Sequence, residues 1–250
     1  MTVTVAIMQP YAFPYIGYFQ LIRAADRFVF YDDVQFIKRG WINRNRIANQ
    51  GHAALFSIPV TGASRDAAIR DVACAADARW LRKFLQQIRH EYGRAPFHRE
   101  VADLIAACFE GAEGLPISEL AIRSVQGVMD YLGEPFEAHR SGADLPNPEG
   151  LRGQARVIDI TLRLGGGRYV NLPGGAALYD PGAFAARGLD LLFIRDRSGP
   201  YPQGGPDFAP HLSIIDVLMH NSPEQVRAML GRHELIRGAD LRAPAEGAPE

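Results

Sequence analysis

The side chains best suited to chemistry lie in two polar and aromatic segments within the first 46 residues. The second of these, residues 32–46, opens with the adjacent carboxylates of Asp32 and Asp33. Because neighbouring carboxylates disfavour each other's charged form, such a pair can supply a general base. The cations of Lys38 and Arg44 could hold a phosphate or a carboxylate in the same loop. We therefore predict a catalytic set made of Asp33 as the general base, Asp32 and Lys38.

The other polar side chains of this loop are expected to bind a substrate. Amides alternate closely with guanidiniums here, and Trp41 adds a large ring, which is less typical of a plain surface loop. A solvated loop with salt bridges is the alternative, since most charged runs have that structure. We predict that Gln35 and Asn43 orient the substrate, that Arg44 binds an anion as Arg46 also could, and that Trp41 contacts the substrate.

The first segment, residues 9–19, combines one amide with a run of aromatic rings and two prolines. It follows a short apolar run that suits a buried strand, and loops after the carboxyl ends of parallel strands commonly bind ligands. The alternative is that these rings only pack in the core. We predict substrate contacts from Gln9, Tyr11, Tyr15 and Tyr18.

Two later segments carry weaker signals. Tyr179 and Asp180 follow a Gly-Gly turn whose backbone N–H groups could face an anion, although a plain turn fits equally well. Asp216 lies in an apolar stretch after Ser213, where a carboxylate must be paired or catalytic, and a structural hydrogen bond is the simpler interpretation. All four residues are retained as candidate substrate contacts.

The pattern of cysteine, histidine and glycine predicts neither a metal site nor a cofactor. The seven histidines form no HxxxH pair, and Cys74 and Cys108 are far apart without a CxxC motif. Cys108 falls on an apolar helical stripe that suits packing. The glycine runs match neither a Walker A loop nor a GxGxxG fingerprint.

An alternation of strands and helices must position these segments. Apolar runs before Gln9 and Asp32 flank a helical stripe, which indicates two parallel strands joined by a right-handed crossover. Helical stripes dominate the middle of the chain, and strand-helix-strand alternation resumes near residue 168. The pattern predicts an α/β fold with a Rossmann-like, mostly parallel sheet. Strands are expected at residues 2–9, 27–31, 53–60, 168–172 and 189–194, with a helical insertion or subdomain at about 77–132.

Length and composition indicate one domain. The chain has 250 residues, of which 47% are hydrophobic and 22% charged, and we assign residues 1–238 to that domain. The tail at 239–250 is mostly Ala, Pro, Gly and Glu, which predicts disorder. A net charge of -1 gives no preference for nucleic acid. No run approaches the roughly 20 apolar residues of a membrane span, and no secretion signal is evident, so a cytoplasmic protein is expected.

The candidate segments form an ordered series of motifs. They are Gln9-Pro10-Tyr11, Phe13-Pro14-Tyr15-Ile16-Gly17-Tyr18-Phe19, Tyr31-Asp32-Asp33-Val34-Gln35-Phe36, Lys38-Arg39-Gly40-Trp41, Asn43-Arg44, Leu178-Tyr179-Asp180 and Leu212-Ser213-Ile214-Ile215-Asp216 through Asn221. From about residue 5 to residue 230 this series resembles the WbqC-like protein family. Members resemble gene products of O-antigen and other surface-polysaccharide clusters, where transfer of glycine or another aminoacyl group to a sugar amine or hydroxyl has been suggested.

The resemblance implies an aminoacyl or acyl transferase that acts on a small, sugar-linked acceptor. Its partners would be a small-molecule substrate and an acyl or peptidyl carrier protein, and its activated donor a carrier-protein thioester or a nucleotide. A fainter resemblance in fold is to the HIGH-motif nucleotidyltransferases, with Tyr15 and Tyr18 at both His positions. Since tyrosine lacks a protonatable imidazole, adenylyl transfer is not expected even if the fold is shared.

Two other classes of function remain open from the sequence. One is a nucleotide-dependent transferase or ligase. The other is a non-catalytic binding subunit of a biosynthetic assembly, which would present its aromatic side chains as a flat exposed patch.

Overall fold

The fold is built on a central sheet, seen here in a computed structural model that describes residues 2–49, 52–205 and 207–242. The described strands are β1 (Thr4–Met8), β2 (Arg27–Phe30), β3 (Arg44–Asn49), β4 (His52–Ser57), β5 (Val60–Thr61), β6 (Ala73–Cys74), β7 (Ala138–Arg140), β8 (Arg168–Asn171), β9 (Asp190–Asp196) and β10 (His233–Ile236). Six of them form the main sheet in the order β10-β9-β8-β1-β2-β7. Strands β3 and β4 pair separately, as do β5 and β6.

All pairings in the main sheet are parallel except that of β10 with β9. In the central register, Val5 of β1 lies between Arg27 of β2 and Tyr169 of β8. The chain runs outward from β1 to β2 and β7, then returns to the other side of β1 for β8 and β9. This reversal leaves a crevice at the carboxyl ends of β1 and β8, where ligands bind in such sheets. The prediction of a Rossmann-like, mostly parallel sheet is confirmed.

Helices cover both faces of the sheet. They are α1 (Ile16–Ala24), α2 (Ala78–Tyr92), α3 (His98–Phe109), α4 (Ile117–Tyr131), α5 (Ser141–Asp144), α6 (Gly153–Arg163), α7 (Pro181–Ala185), α8 (Ile214–His220) and α9 (Pro223–Leu230). Because side chains alternate along a strand, Ala6 of β1 packs in the core with α1, whereas Val5 and Ile7 pack with α6 and α7. None of the helices among the described residues has the length and apolar character needed to cross a bilayer.

The predicted elements fall mostly where the sequence indicates. Helices α2, α3 and α4 occupy the range predicted for the helical insertion. The strand expected at 53–60 pairs with β3 in a separate two-stranded sheet rather than entering the main sheet. Of the tail predicted to be disordered, residues 239–242 belong to a short 3₁₀ helix, Gly238–Arg242, and residues 243–250 lie outside the described residues.

A left-handed residue fixes the loop between β1 and α1. Phe13 is fully buried and has φ of 45°, a conformation that costs a bulky residue about 1–3 kcal/mol. Its N–H donates to Ser124 Oγ at 2.9 Å, and its carbonyl accepts hydrogen bonds from Asn45 Nδ2 at 2.7 Å and Ser213 Oγ at 2.6 Å. Three distant segments therefore hold this one backbone unit, which we call the Phe13 clamp.

Replacing Asn45→Ala should lower the free energy of unfolding by about 1–3 kcal/mol, because it removes a buried donor and leaves the Phe13 carbonyl with one partner fewer. Urea denaturation followed by circular dichroism measures this change. The exposed Lys83→Ala on α2 is the control and should stay within about 0.5 kcal/mol of the wild type. Equal stabilities for Asn45→Ala and the control would contradict a stabilising role for the clamp.

Candidate functional site

A cavity of about 600 Å³ opens at the carboxyl ends of β1 and β8, where the strand order reverses. We call it the aromatic cavity, after the rings that line it. These rings are Tyr11 and Tyr15 from the β1–α1 loop, Tyr31 after β2, Trp41 from the following loop and Tyr179 after β8. The exposed apolar side chains of Ile37 and Leu178 also line it. Such a surface suits a partly apolar or ring-shaped ligand.

A second, more polar cavity of about 660 Å³ adjoins the first and shares Tyr31 and Gly153 with it. The charged residues of its wall are Asp33, Asp66, Arg152 and Arg156, and we call it the carboxylate cavity after the first two. Gly153 starts α6 with φ of 52°, a backbone conformation that favours glycine. Gln35 lines the same cavity and donates through Nε2 to the carbonyl of Arg65 at 2.6 Å.

The two adjacent carboxylates have different surroundings. Asp32 is 6% exposed, and its Oδ1 accepts hydrogen bonds from Gly142 N–H at 2.9 Å and from Ser141 Oγ at 3.1 Å. Asp33 is half-buried, faces the carboxylate cavity and accepts from Ser141 Oγ through Oδ1 at 2.5 Å. Since a serine hydroxyl has one proton, it donates to one carboxylate at a time. Asp32 therefore holds the start of α5, and Asp33 is the carboxylate that a ligand can reach.

A buried arginine stands beside Asp33. The side chain of Arg156 is 1% exposed, and its Nη2 lies 3.9 Å from Asp33 Oδ2. Its Nη1 donates to Asp159 Oδ2 at 2.8 Å, and Nη2 donates to the carbonyl of Leu145. This geometry places a buried positive charge beside the Asp33 carboxylate.

A smaller pocket of about 240 Å³ extends the aromatic cavity on its other side and shares Tyr11, Tyr15 and Trp41 with it. We call it the side pocket. Arg46 and His211 line it together with Asn45. The guanidinium carbon of Arg46 lies 5.6 Å from the centre of the Trp41 ring, within the range of a cation–π contact.

The tyrosines of the aromatic cavity remain protonated at neutral pH. Burial, followed by the charge of Asp33, raises the pKa of Tyr31 to about 12. Burial is also the main cause of the raised pKa values of Tyr11, Tyr15 and Tyr179. These hydroxyls can therefore donate hydrogen bonds to a ligand but cannot serve as phenolate bases.

Beneath the aromatic cavity, Asn171 holds Tyr179 in place. Asn171 ends β8, and its Nδ2 donates to Tyr169 Oη at 2.9 Å and to Tyr179 Oη at 3.2 Å. At the end of β1, Gln9 lines the cavity and accepts a hydrogen bond from Tyr11 Oη at 3.3 Å. Both amides stand at strand ends, and their bonds orient the tyrosines of the wall.

Four predicted substrate contacts instead make internal hydrogen bonds away from the cavities. Tyr18 is fully buried and donates to the Gln9 carbonyl at 2.9 Å, and Asn43 donates to the Ile58 carbonyl at 2.7 Å. Arg44 donates to the carbonyls of Gly40 and Arg39, and Ser213 belongs to the Phe13 clamp. The structure does not bring these four side chains to the walls of the cavities described above.

Two charged candidates lie at the surface. Lys38 is exposed and lines none of the three cavities. Asp180 is exposed at the start of α7, where its Oδ1 accepts a hydrogen bond from Gly182 N–H at 3.0 Å. Asp180 is therefore a helix cap beside the cavity-lining Tyr179.

Asp216 lies in a separate buried network on α8. It accepts hydrogen bonds from Tyr92 Oη at 2.9 Å, Tyr201 Oη at 2.6 Å and Gln203 Nε2 at 2.9 Å. Burial raises the pKa of Asp216, while these hydrogen bonds and the charge of His220 oppose that rise. The Asp216 carboxylate is thus in a structural hydrogen-bond network, which is the simpler interpretation given for it in the sequence, and it has three donors.

Several cavity residues could not be identified from the sequence. Ser141 and Arg156 reach Asp33 from more than 100 positions away along the chain, and no local pattern signals such a contact. In the sequence, Tyr31 falls at the end of a predicted buried strand, and Asn171 falls near the end of another, just before a turn. For these two, their position at strand ends was the available signal.

Neither cysteine chemistry nor a metal cluster is evident in the described residues. Cys74 and Cys108 are free and buried, and burial raises the pKa of both thiols, to about 12 for Cys108. In the described part of the chain, no group of three His, Cys, Asp or Glu side chains is arranged to hold a metal ion.

Comparison with known proteins agrees with the motif series. The model of the WbqC-like protein family matches residues 9–228. The chain belongs to the WbqC-like protein family. The uncharacterised protein Rv1507c of Mycobacterium tuberculosis is 28% identical over 222 residues, which cover 88% of this chain and 94% of that protein. No solved structure matches the chain. Apart from Ile7 and Met8, the residues that line the three cavities lie within the matched range of this WbqC-like protein.

The network around Asp216 predicts a pH dependence of stability. Burial lowers the pKa of His220 despite the charge of Asp216, so the folded state disfavours the protonated imidazole. This contribution to stability is present above the unfolded pKa of about 6.5 and is lost as the pH falls below it. The free energy of unfolding should therefore decrease between about pH 6.5 and 5.

His220→Gln cannot titrate and should show a flatter pH profile in that window. Urea denaturation at half-unit pH steps measures both profiles. Asp216 has the opposite sign, because its raised pKa gives the folded state a relative gain as the pH falls toward 4. Parallel profiles for wild type and His220→Gln from pH 6.5 to 5 would show that His220 does not contribute.

Proposed function

We propose that this protein is a transferase that moves an acyl or aminoacyl group, such as glycyl, from an activated donor to an amine or hydroxyl of a small, sugar-linked acceptor. We further propose that it acts in the cytoplasm in surface-polysaccharide or specialised-metabolite biosynthesis. The observation that supports the reaction best is the position of Asp33. Its carboxylate faces a polar cavity that continues directly into one lined by aromatic rings.

In this proposal Asp33 is the general base. The acceptor nitrogen or oxygen attacks the donor carbonyl carbon while its proton passes to Asp33. A C–N or C–O bond then forms, the bond from the carbonyl carbon to the leaving group breaks, and Asp33 returns the proton to the departing group. Arg156 places a positive charge beside Asp33, and the hydrogen bond from Ser141 fixes the orientation of the Asp33 carboxylate. A positioned base of this kind contributes about a hundredfold or more to the rate.

Tyr31 supplies the hydrogen bond for the developing oxyanion. It lines both the carboxylate cavity and the aromatic cavity, so its hydroxyl stands where the donor and acceptor would meet. Because its pKa is raised to about 12, the hydroxyl keeps its proton and can donate it in a hydrogen bond as charge builds on the carbonyl oxygen. Gln35, beside Asp33, orients the acceptor.

The aromatic cavity would bind the less polar part of the substrates. Rings of Tyr11, Tyr15, Trp41 and Tyr179 offer flat faces for a sugar ring or an acyl chain. The donor is a carrier-protein thioester or a nucleotide-activated acyl group. The exposed Lys38 lies outside the cavities, and we assign it to the approach of that donor rather than to the chemical step.

A nucleotide-dependent transferase or ligase is the second candidate. It is favoured by the location of the cleft at the reversal of strand order, with the first residue of α6 lining both cavities. The scaffold alternative has less support. Tyr11, Tyr15 and Trp41 line a recess and Tyr18 is buried, so these rings do not form a flat exposed patch.

Asp33→Asn should reduce kcat/KM for acyl transfer by a hundredfold or more, because the amide keeps the shape of the side chain but cannot accept the proton. Mass spectrometry of the product, formed from glycyl-loaded carrier protein and an amino sugar, measures the rate. The exposed Asp103→Asn on α3 is the control for loss of one carboxylate and should retain the wild-type rate.

A wild-type rate for Asp33→Asn would rule out its role as the base. If neither a thioester nor a nucleotide-activated donor yields product with the wild-type protein, the transfer function itself fails.

A further inference from the structure

We propose that the side pocket binds a phosphate group, and that the substrate carrying this phosphate extends from Arg46 through the aromatic cavity toward Asp33. The inference rests on the proposed transfer function only where it identifies this ligand as the activated donor. The phosphate site itself follows from the residues that line the side pocket: Tyr11, Pro14, Tyr15, Trp41, Asn45, Arg46 and His211.

Arg46 has more hydrogen-bond donors than the protein uses. Its Nη2 donates to the carbonyl of His211 at 3.2 Å. Its Nε is buried without a partner, and neither a hydrogen bond from Nη1 nor an ion pair of Arg46 is found among residues 2–49, 52–205 and 207–242. Guanidinium groups held in this way are suited to phosphate, whose oxygens accept several hydrogen bonds at once.

The neighbours of Arg46 fix its guanidinium against the pocket. The Trp41 ring lies 5.6 Å below the guanidinium carbon and is at the same time a wall of the aromatic cavity. His211 is exposed, and its ring contacts Tyr15 edge-on with 5.8 Å between the ring centres. Its φ of 57° is a left-handed conformation, which a non-glycine residue adopts only where its surroundings hold it. His211 thus lines the same pocket as Arg46 and holds its guanidinium through the backbone carbonyl.

The charges favour an anion over a cation. No carboxylate is among the residues lining the side pocket or the aromatic cavity in the part of the chain that the structure describes. The side-chain amide of Asn45 already has partners, since it donates to the Phe13 carbonyl and accepts from the backbone N–H of Arg46 at 2.8 Å. Among the residues that line the three cavities, the carboxylates are Asp33 and Asp66, which lie in the carboxylate cavity at the opposite end of the cleft from Arg46.

This polarity gives the ligand one orientation. A phosphate at Arg46 would meet no carboxylate, whereas at the opposite end Asp33 and Asp66 offset the charges of Arg152 and Arg156. The group that follows the phosphate would lie among the aromatic rings, and a carbonyl beyond it would approach Asp33. A phosphopantetheine thioester has this order of parts. A nucleotide shares the phosphate followed by a group that stacks on aromatic rings, so the common phosphate is the chemistry that the pocket recognises.

Isothermal titration calorimetry with matched ligand pairs tests the phosphate site. The pairs are 4′-phosphopantetheine against pantetheine and AMP against adenosine. In at least one pair, the phosphorylated ligand should bind ten times or more tightly to the wild type. The pair that shows this preference identifies the source of the phosphate.

That preference should fall to about threefold or less in Arg46→Gln and be partly kept in Arg46→Lys, which retains the charge but loses the planar group. The exposed Arg82→Ala on α2 controls for loss of one positive charge and should keep the full preference. Circular dichroism and a thermal melt confirm that each variant is folded. If Arg46→Gln does not fold, Arg46→Lys and His211→Ala, which should each weaken the preference, take its place.

The proposal is overturned if neither pair shows a phosphate preference, including the case of no measurable binding, or if Arg46→Gln retains it. The outcome is separable from that for transfer. A preference that depends on Arg46, without acyl transfer from either donor, would leave the phosphate site standing and remove the transferase. Acyl transfer at an unchanged rate in Arg46→Gln would support the transferase and remove the phosphate site.

Discussion

The Phe13 clamp is the interaction on which the whole cleft depends. A bulky residue in a left-handed conformation persists only if its surroundings hold it there, and Phe13 is held through both its N–H and its carbonyl. The donors and acceptor come from β3, α4 and the start of α8. The loop that carries Tyr11 and Tyr15 is therefore placed by contacts with α4, β3 and the start of α8.

On the other side of the cleft, hydrogen bonds between buried polar groups hold Asp33 in position. Asp32 receives the N–H of Gly142, and a Cβ at residue 142 would clash with Arg70 Nη1 and lie 3.0 Å from Asp32 Oδ1, so a larger residue there would displace the Arg70 side chain and press on Asp32. This contact brings Ser141 against both carboxylates. The two adjacent carboxylates thus have different roles, since Asp32 fixes the loop and α5 relative to each other, and Asp33 faces the carboxylate cavity.

Much of the fold and part of the site could be predicted from the sequence, for physical reasons. Buried parallel strands are continuous apolar runs, which makes β1, β2, β8 and β9 readable, and their carboxyl ends identify Gln9, Tyr11, Asp33 and Tyr179 as cavity residues. The type of a residue does not say which way it points, so Tyr18 and Asn43 were indistinguishable from their cavity-lining neighbours. Ser141 and Arg156 depend on contacts between distant parts of the chain, which periodicity does not encode.

The two arginines of β3 illustrate that limit and explain the polarity of the cleft. Arg44 and Arg46 are two residues apart, so they project from the same face of their strand, and the sequence allows either to bind an anion, with Arg44 as the predicted ligand. Arg44 lies beside the preceding loop, and its guanidinium is occupied by the carbonyls of Gly40 and Arg39. Arg46 lies one step further along, where Trp41 and His211 border a pocket and most of its donors stay unused. The available backbone carbonyls, rather than charge, therefore distinguish the two side chains: Arg44 is held by its own loop, and Arg46 is left to line the side pocket.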